Sequence, residues 1–188
     1  RDMTRSVRQI GFRLLMLAAA SLSLLSAAGV VVQDSGDDRG AHGVIWSERR
    51  DDGSRPLYHE SHALVIGISD YGPGWPDLPG VSRDVKEIGE VLAGHGFEVS
   101  LVEDLSRDNL DRTLRDFIDN RALQPDNRVV IYFAGHGYTL QQSFGSEMGY
   151  IVPADAPDPR LDEGAFRSRA IDMQQFEVYA RRIQAKHA

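Results

Sequence analysis

Two near-continuous apolar runs stand out along the chain, separated by stretches in which apolar positions recur every three or four residues. The first run is Ala63-Leu64-Val65-Ile66-Gly67-Ile68. Apolar residues without polar alternation, several of them β-branched, suit a strand buried on both faces, as in a parallel sheet. The run leads into Ser69-Asp70-Tyr71-Gly72-Pro73-Gly74, a loop by its glycines and proline. Val81, Val85, Ile88 and Leu92 then fall at helical spacing, with Lys and Glu between them and Gly94 and Gly96 at the far end. Phe97 to Val102 alternates as a strand. Ser106 stands where it can cap a second helix, whose Leu110, Leu114, Phe117 and Ile118 share one face.

The second run, Val129-Val130-Ile131-Tyr132-Phe133, predicts another buried strand. Met148 to Val152 is expected as a short strand that pairs with Tyr138 to Gln141 in a hairpin. Ala154 to Ala170 is expected as a loop rich in Pro, Asp and Arg. A last helix is expected to open at Asp172, with Gln175 three residues on as in a capping box, and to run towards Lys186. Strands alternating with amphipathic helices predict an α/β fold: a mostly parallel central sheet with helices on both faces, three layers in all. Another central strand is expected after such a helix, so the fold is expected to be incomplete at its C-terminus.

The N-terminal segment changes the picture of where this domain works. Arg5, Arg8 and Arg13 precede an uncharged run from Leu14 to Val32. A basic stretch before an apolar one is the pattern of a secretory signal peptide, and Ser26-Ala27-Ala28 offers small residues for cleavage before Gly29. The alternative is an uncleaved membrane anchor spanning residues 1–32. Both put the domain outside the cytoplasm, in the periplasm or the medium, with contact to a membrane only if the segment is retained. Residues 33–60, rich in Asp, Gly, Arg and Ser, are expected as a disordered linker, and residues 61–188 as the folded domain.

A net charge of −7 argues against a nucleic-acid partner, which a basic patch would serve. The chain has no cysteine, which excludes a disulfide framework, a thiolate zinc site and a cysteine nucleophile within these residues. No two histidines have the i, i+4 spacing of zinc ligands on a helix, so no metal site is expected. No Gly-x-Ser-x-Gly elbow follows any strand, which argues against a serine hydrolase.

The most informative residues are Ala134-Gly135-His136-Gly137-Tyr138, directly past the carboxyl end of an apolar strand. Open α/β sheets bind ligands at that end. Histidine is suited to proton transfer near neutral pH, and flanking glycines leave its ring and the neighbouring N–H groups open. A turn histidine satisfied by a backbone carbonyl has the same local pattern. Asp84 falls early in the first predicted helix, where an acidic residue also simply favours the helix dipole. The acidic residues Glu103 to Asp119 around the second helix, interleaved with arginines, suit a solvated face.

In this order, Ala63 to Tyr71, Leu78 to Asp84, Gly96 to Val99, Tyr132 to Gly137 and Gly149 to Ala156 resemble the caspase-like, metacaspase-related cysteine peptidases, over Ala63 to Lys186. The resemblance implies a caspase-hemoglobinase-like fold and hydrolysis of polypeptide substrates by a Cys-His dyad. His136 matches the dyad histidine, and Gly137 the glycine whose backbone N–H helps stabilise the oxyanion. It also implies that the cysteine lies at the end of the next strand, beyond Ala188, so this chain alone is expected to be inactive. Leu78 and Pro79 stand where caspases carry an arginine that selects Asp at P1. Asp84 instead matches an acidic position lining the S1 pocket of metacaspases, which implies Arg or Lys at P1. The resemblance calls for no cofactor, and calcium dependence has no signature in these residues. The competing expectation is a caspase-like pseudoenzyme that serves as a binding or regulatory module.

Overall fold

The computed structural model describes residues 58–188, together with the backbone of three short strands nearer the N-terminus. Those strands are β1 (Arg13–Leu14), β2 (Val31–Asp34) and β3 (Val44–Ser47). The rest of the expected export segment and linker lies outside the described residues.

The first apolar run forms β4 (Ser61–Gly67). It is followed by helix α1 (Val81–Gly94), strand β5 (Glu98–Glu103), helix α2 (Arg107–Phe117) with a π-helical turn at Ile118–Ala122, and strand β6 (Arg128–Ala134). The six-stranded sheet has the order β1-β6-β4-β5-β3-β2. Its core is parallel: β4 pairs with β5 on one side and β6 on the other. The backbone of β3 pairs antiparallel with β5, and that of β1 with Phe133 and Ala134 of β6.

Alternate residues of β4 build two separate cores, as the two-residue repeat of a strand requires. Ala63 and Val65 face α1, where Val81, Val85, Val99, Leu101 and Tyr132 close the first cluster. Leu64 and Ile66 face the opposite layer with Leu110, Leu114, Ile118, Phe166 and Ile171. Hence the uninterrupted apolar run: both faces are covered, and Ala63 to Ile66 are at most 1% exposed. Gly67 closes the strand where a Cβ would come within 2.9 Å of the Val85 side chain, so glycine lets α1 pack directly on the sheet. This is a mixed α/β architecture of three layers around parallel strands, as expected.

Past β6 the chain forms an antiparallel hairpin, β7 (Gly137–Gln141) and β8 (Glu147–Ile151), joined by a short turn at Ser143–Gly145. The stretch expected as loop from Ala154 to Ala170 contains helix α3 (Glu163–Arg169), capped by the Asp162 side chain at 2.9 Å from the Ala165 N–H. Strand β9 (Ile171–Asp172) completes a three-stranded sheet β7-β8-β9. Helix α4 (Met173–Ala180) begins as expected, with the Asp172 carboxylate accepting the Gln175 N–H at 2.7 Å. It ends at Ala180 rather than near Lys186. The N–H groups of Gln184 and Ala185 turn away to the Ala122 carbonyl, at 2.8 and 3.0 Å, so they cannot extend the helix. The chain then runs beside β6, where His187 bridges Arg128 in parallel.

Candidate active site

Three connections converge at the carboxyl end of the sheet: the loop from β4 to α1, the turn from β6 into β7, and the segment after β8. The turn is Gly135-His136-Gly137. At buried Gly135 a Cβ would lie 2.7 Å from the Tyr71 hydroxyl and 2.8 Å from the Phe133 ring, closer than real Cβ atoms come. Glycine is therefore what allows Tyr71 to reach the turn.

The imidazole of His136 is held from two directions by the first loop. Its Nε2 lies 2.8 Å from the Pro76 carbonyl. A carbonyl only accepts, so in the neutral ring Nε2 carries the proton and Nδ1 carries the lone pair. The Trp75 ring lies over the imidazole with centroids 5.0 Å apart and planes 31° apart, and the Tyr71 ring packs at 4.6 Å. Trp75 also contacts Tyr138 edge-on, and Tyr138 in turn meets the fully buried Phe166, so the histidine sits against an aromatic bed. His136 itself is half-buried.

The backbone of the turn is as constrained as the ring. The Val152 N–H donates to the His136 carbonyl at 3.1 Å. The His136 N–H donates to the Tyr71 hydroxyl at 2.7 Å, and that hydroxyl reaches the Val152 carbonyl at 3.4 Å. Burial pushes the Tyr71 phenol well above its ordinary pKa, although the hydrogen bond from the His136 amide pulls the other way. The hydroxyl therefore keeps its proton. Gly137 is registered with Ile151. Because His136 and Val152 form a hydrogen-bonded position, the alternation of an antiparallel ladder makes the next position non-bonded. The Gly137 N–H accordingly points to the open edge of β7, away from β8.

The loop that bears Tyr71, Trp75 and Pro76 is fixed at both ends. Asp104, at the end of β5 with φ 54°, accepts the Ser69 N–H at 2.6 Å, the Asp70 N–H at 3.0 Å and the Ser69 hydroxyl. The indole Nε1–H of Trp75 donates to the Ala156 carbonyl at 2.9 Å, and the Gly72 N–H to Ala154 at 3.1 Å. At Gly74, whose φ is 103°, a Cβ would come within 2.7 Å of Asp158.

His136 and Gly137 thus share one turn. Asp84 belongs to another element, half-buried in the first turn of α1, its N–H bonded to the Gly80 carbonyl at 3.0 Å. Since α1 follows β4, that turn lies at the same end of the sheet. Of the acidic residues around α2, Asp111 pairs with Arg115 at 2.7 Å and Asp119 with Arg182. Among the described residues, no group of three or more His, Cys, Asp or Glu side chains is placed to hold a metal ion. Nor, among them, is any helix long and apolar enough to cross a membrane.

Sequence reasoning missed Pro76, Trp75 and Asp104. A Gly-Pro-Gly-Trp-Pro loop at the carboxyl end of a buried strand was a usable signal for the first two, because such loops border the ligand end of the sheet. A carboxylate following a strand that ends at the same level could have suggested Asp104.

Residues 60–176, more than half of the chain, match the Peptidase_C14 family model, described as the caspase domain. No curated protein matches the chain.

Proposed function

The chain belongs to the caspase-domain family, and we propose that it forms the histidine-bearing part of a cysteine endopeptidase that cleaves exported or extracellular polypeptides after Arg or Lys. The single observation that carries this is the 2.8 Å contact between His136 Nε2 and the Pro76 carbonyl. It commits one ring nitrogen to a backbone acceptor and leaves Nδ1 as the base.

In this mechanism Nδ1 of His136 takes the thiol proton of a cysteine, and the thiolate attacks the scissile carbonyl. The Gly137 N–H, directed to the open edge of β7, stabilises the negative oxygen. His136 then delivers its proton to the departing amine as the C–N bond breaks. A water molecule, deprotonated by the same nitrogen, hydrolyses the thioester and restores the thiol. The Pro76 carbonyl accepts the hydrogen bond from Nε2–H throughout and so keeps the ring in place.

The 188 residues hold no cysteine, so in this reading the nucleophile is a cysteine outside them, on a strand laid beside β6. The register supports this. His187 lies parallel to Arg128, and the Val129 N–H bonds its carbonyl at 2.9 Å. A strand in that register, followed along β6, reaches the level of Ala134, two residues short of His136. Asp84 supplies the negative charge for a basic P1 side chain, and Leu78 and Pro79 offer no cation for an acidic one.

The test is cleavage of fluorogenic peptides by the full-length protein. Turnover of Arg-P1 and Lys-P1 peptides, lost on His136→Ala and on alkylation of a cysteine, is the expected result, with Asp84→Asn raising KM for basic P1 peptides. Equal cleavage of Asp-P1 peptides would sink the specificity. A full-length chain with no cysteine in the strand beside β6, and no turnover, would leave a caspase-like binding module instead.

A further inference from the structure

In an antiparallel ladder, residues at a hydrogen-bonded position exchange two N–H···O=C bonds. At the His136–Val152 position only one of them is made directly, from the Val152 N–H to the His136 carbonyl at 3.1 Å. The other is interrupted by a third residue. The His136 N–H donates to the Tyr71 Oη at 2.7 Å, and the Tyr71 O–H donates to the Val152 carbonyl at 3.4 Å. A side-chain oxygen from a loop 65 residues away in sequence thus stands inside the ladder. The strands at this point are separated by two hydrogen bonds where one would otherwise join them, so the chain splays open at the histidine.

We propose that Tyr71 is a positioning residue for His136: its hydroxyl wedges the start of the β7–β8 ladder open and so sets where the imidazole and the Gly137 N–H stand. This rests on the peptidase reading of the site. Tyr71 touches no reacting atom; it acts through the backbone of the turn. Three features of the structure converge on it. The phenol is 8% exposed, so water does not compete for its bonds. The residue before the histidine is a glycine whose Cβ would collide with the same oxygen at 2.7 Å. The phenol ring also packs against the imidazole with centroids 4.6 Å apart. Removing the oxygen has two structural outcomes. Either the His136 N–H and Val152 carbonyl close on each other and draw the turn towards β8, or both stay apart without partners. In each case Nε2 loses its alignment on Pro76.

The experiment compares wild-type full-length protein with Tyr71→Phe, which keeps the buried ring. A misplacement of about 1 Å at a reacting group can cost on the order of 10²-fold in rate. We expect kcat to fall roughly 10- to 100-fold with KM within about twofold. In nitrogen-15 spectra, the His136 amide should shift and exchange faster, and its imidazole signals should move away from the Nε2-protonated pattern. An unmoved His136 amide, an unchanged kcat, or a loss confined to KM overturns the proposal. Should the variant not fold, 3-fluorotyrosine at position 71 keeps ring and hydroxyl while changing the strength of the bond. A shifted His136 amide then supports the wedge, and an unshifted one overturns it. If the wild type cleaves no peptide, the peptidase reading fails, and the amide and imidazole signals alone decide the role of Tyr71.

Discussion

The indole of Trp75 covers the imidazole of His136, and its Nε1–H is tied to the Ala156 carbonyl on the far side of the site. One residue thus joins the loop after β4, the histidine and the segment after β8. Trp75→Ala removes the cap on the ring and frees the Pro76 carbonyl from its register. A drop in kcat of about tenfold in the full-length protein is expected, in line with the loss of a positioned base. Trp75→Phe keeps a ring over the histidine and loses only the bond to Ala156, so its stability should fall by about 1 kcal/mol. Peptide turnover and urea unfolding of the two variants check both figures.

Gly135→Ala should destabilise the protein by about 1–3 kcal/mol, the usual cost of overpacking a filled site. The added methyl meets both the Tyr71 hydroxyl and the Phe133 ring. Gly80→Ala is the control, since no atom lies within 4 Å of the added carbon there. Denaturant midpoints that fall equally for the two would contradict this account.

Asp104 holds the start of the site loop through two backbone N–H groups and a hydroxyl. Asp104→Ala forfeits these bonds and also puts alanine at a φ of 54°. A loss of about 2 kcal/mol is expected, hydrogen bonds to a charged group being the stronger kind. Asn tolerates left-handed backbone and keeps one oxygen acceptor, so Asp104→Asn should lose about half as much. Chemical denaturation measures both.

Near the site, Asp158 is almost fully buried and bonded by Arg160, whose Nε lies 2.9 Å from both carboxylate oxygens. The hydrogen bonds from Arg160 hold its carboxyl below the usual range despite the cost of burial. A depressed folded-state pKa means that this stabilisation is fully present above the unfolded value near 3.9 and is lost as pH falls through the lowered folded value. Relative to Asp158→Asn, the wild type should therefore lose its advantage below about pH 4 and hold it from there to neutrality. Urea midpoints for both proteins between pH 2 and pH 7 test the sign.

The strands of the parallel core were legible because burial on two faces leaves an unbroken apolar signature, as at Ala63 to Ile66. Helix α1 was legible from Val81 and Val85, both packed on the sheet. Helix α3 was not: it has seven residues and buries only Phe166, too little to create a period. The end of α4 at Ala180 carries no Gly or Pro; the Arg182 and Ile183 N–H groups tighten to i−3 bonds and the chain then turns to Ala122. In the site, Gly135 to Gly137 could be found from local pattern. For the partners that fix them the local pattern offers only the Gly-Pro-Gly-Trp-Pro loop and not the contacts, because Tyr71, Trp75 and Pro76 reach His136 only once β4 and β6 lie side by side.

That long reach orders events in time. The β7–β8 hairpin closes over a few residues, whereas the bonds from Tyr71 and Trp75 to Val152 and Ala156 each span 81 residues. Contacts of such separation form after the local ones, because the entropy of closing a long loop must be met first. The working arrangement around His136 is therefore among the last parts of the molecule to assemble. It is also a part that can come undone by local opening of one loop while the sheet stays intact.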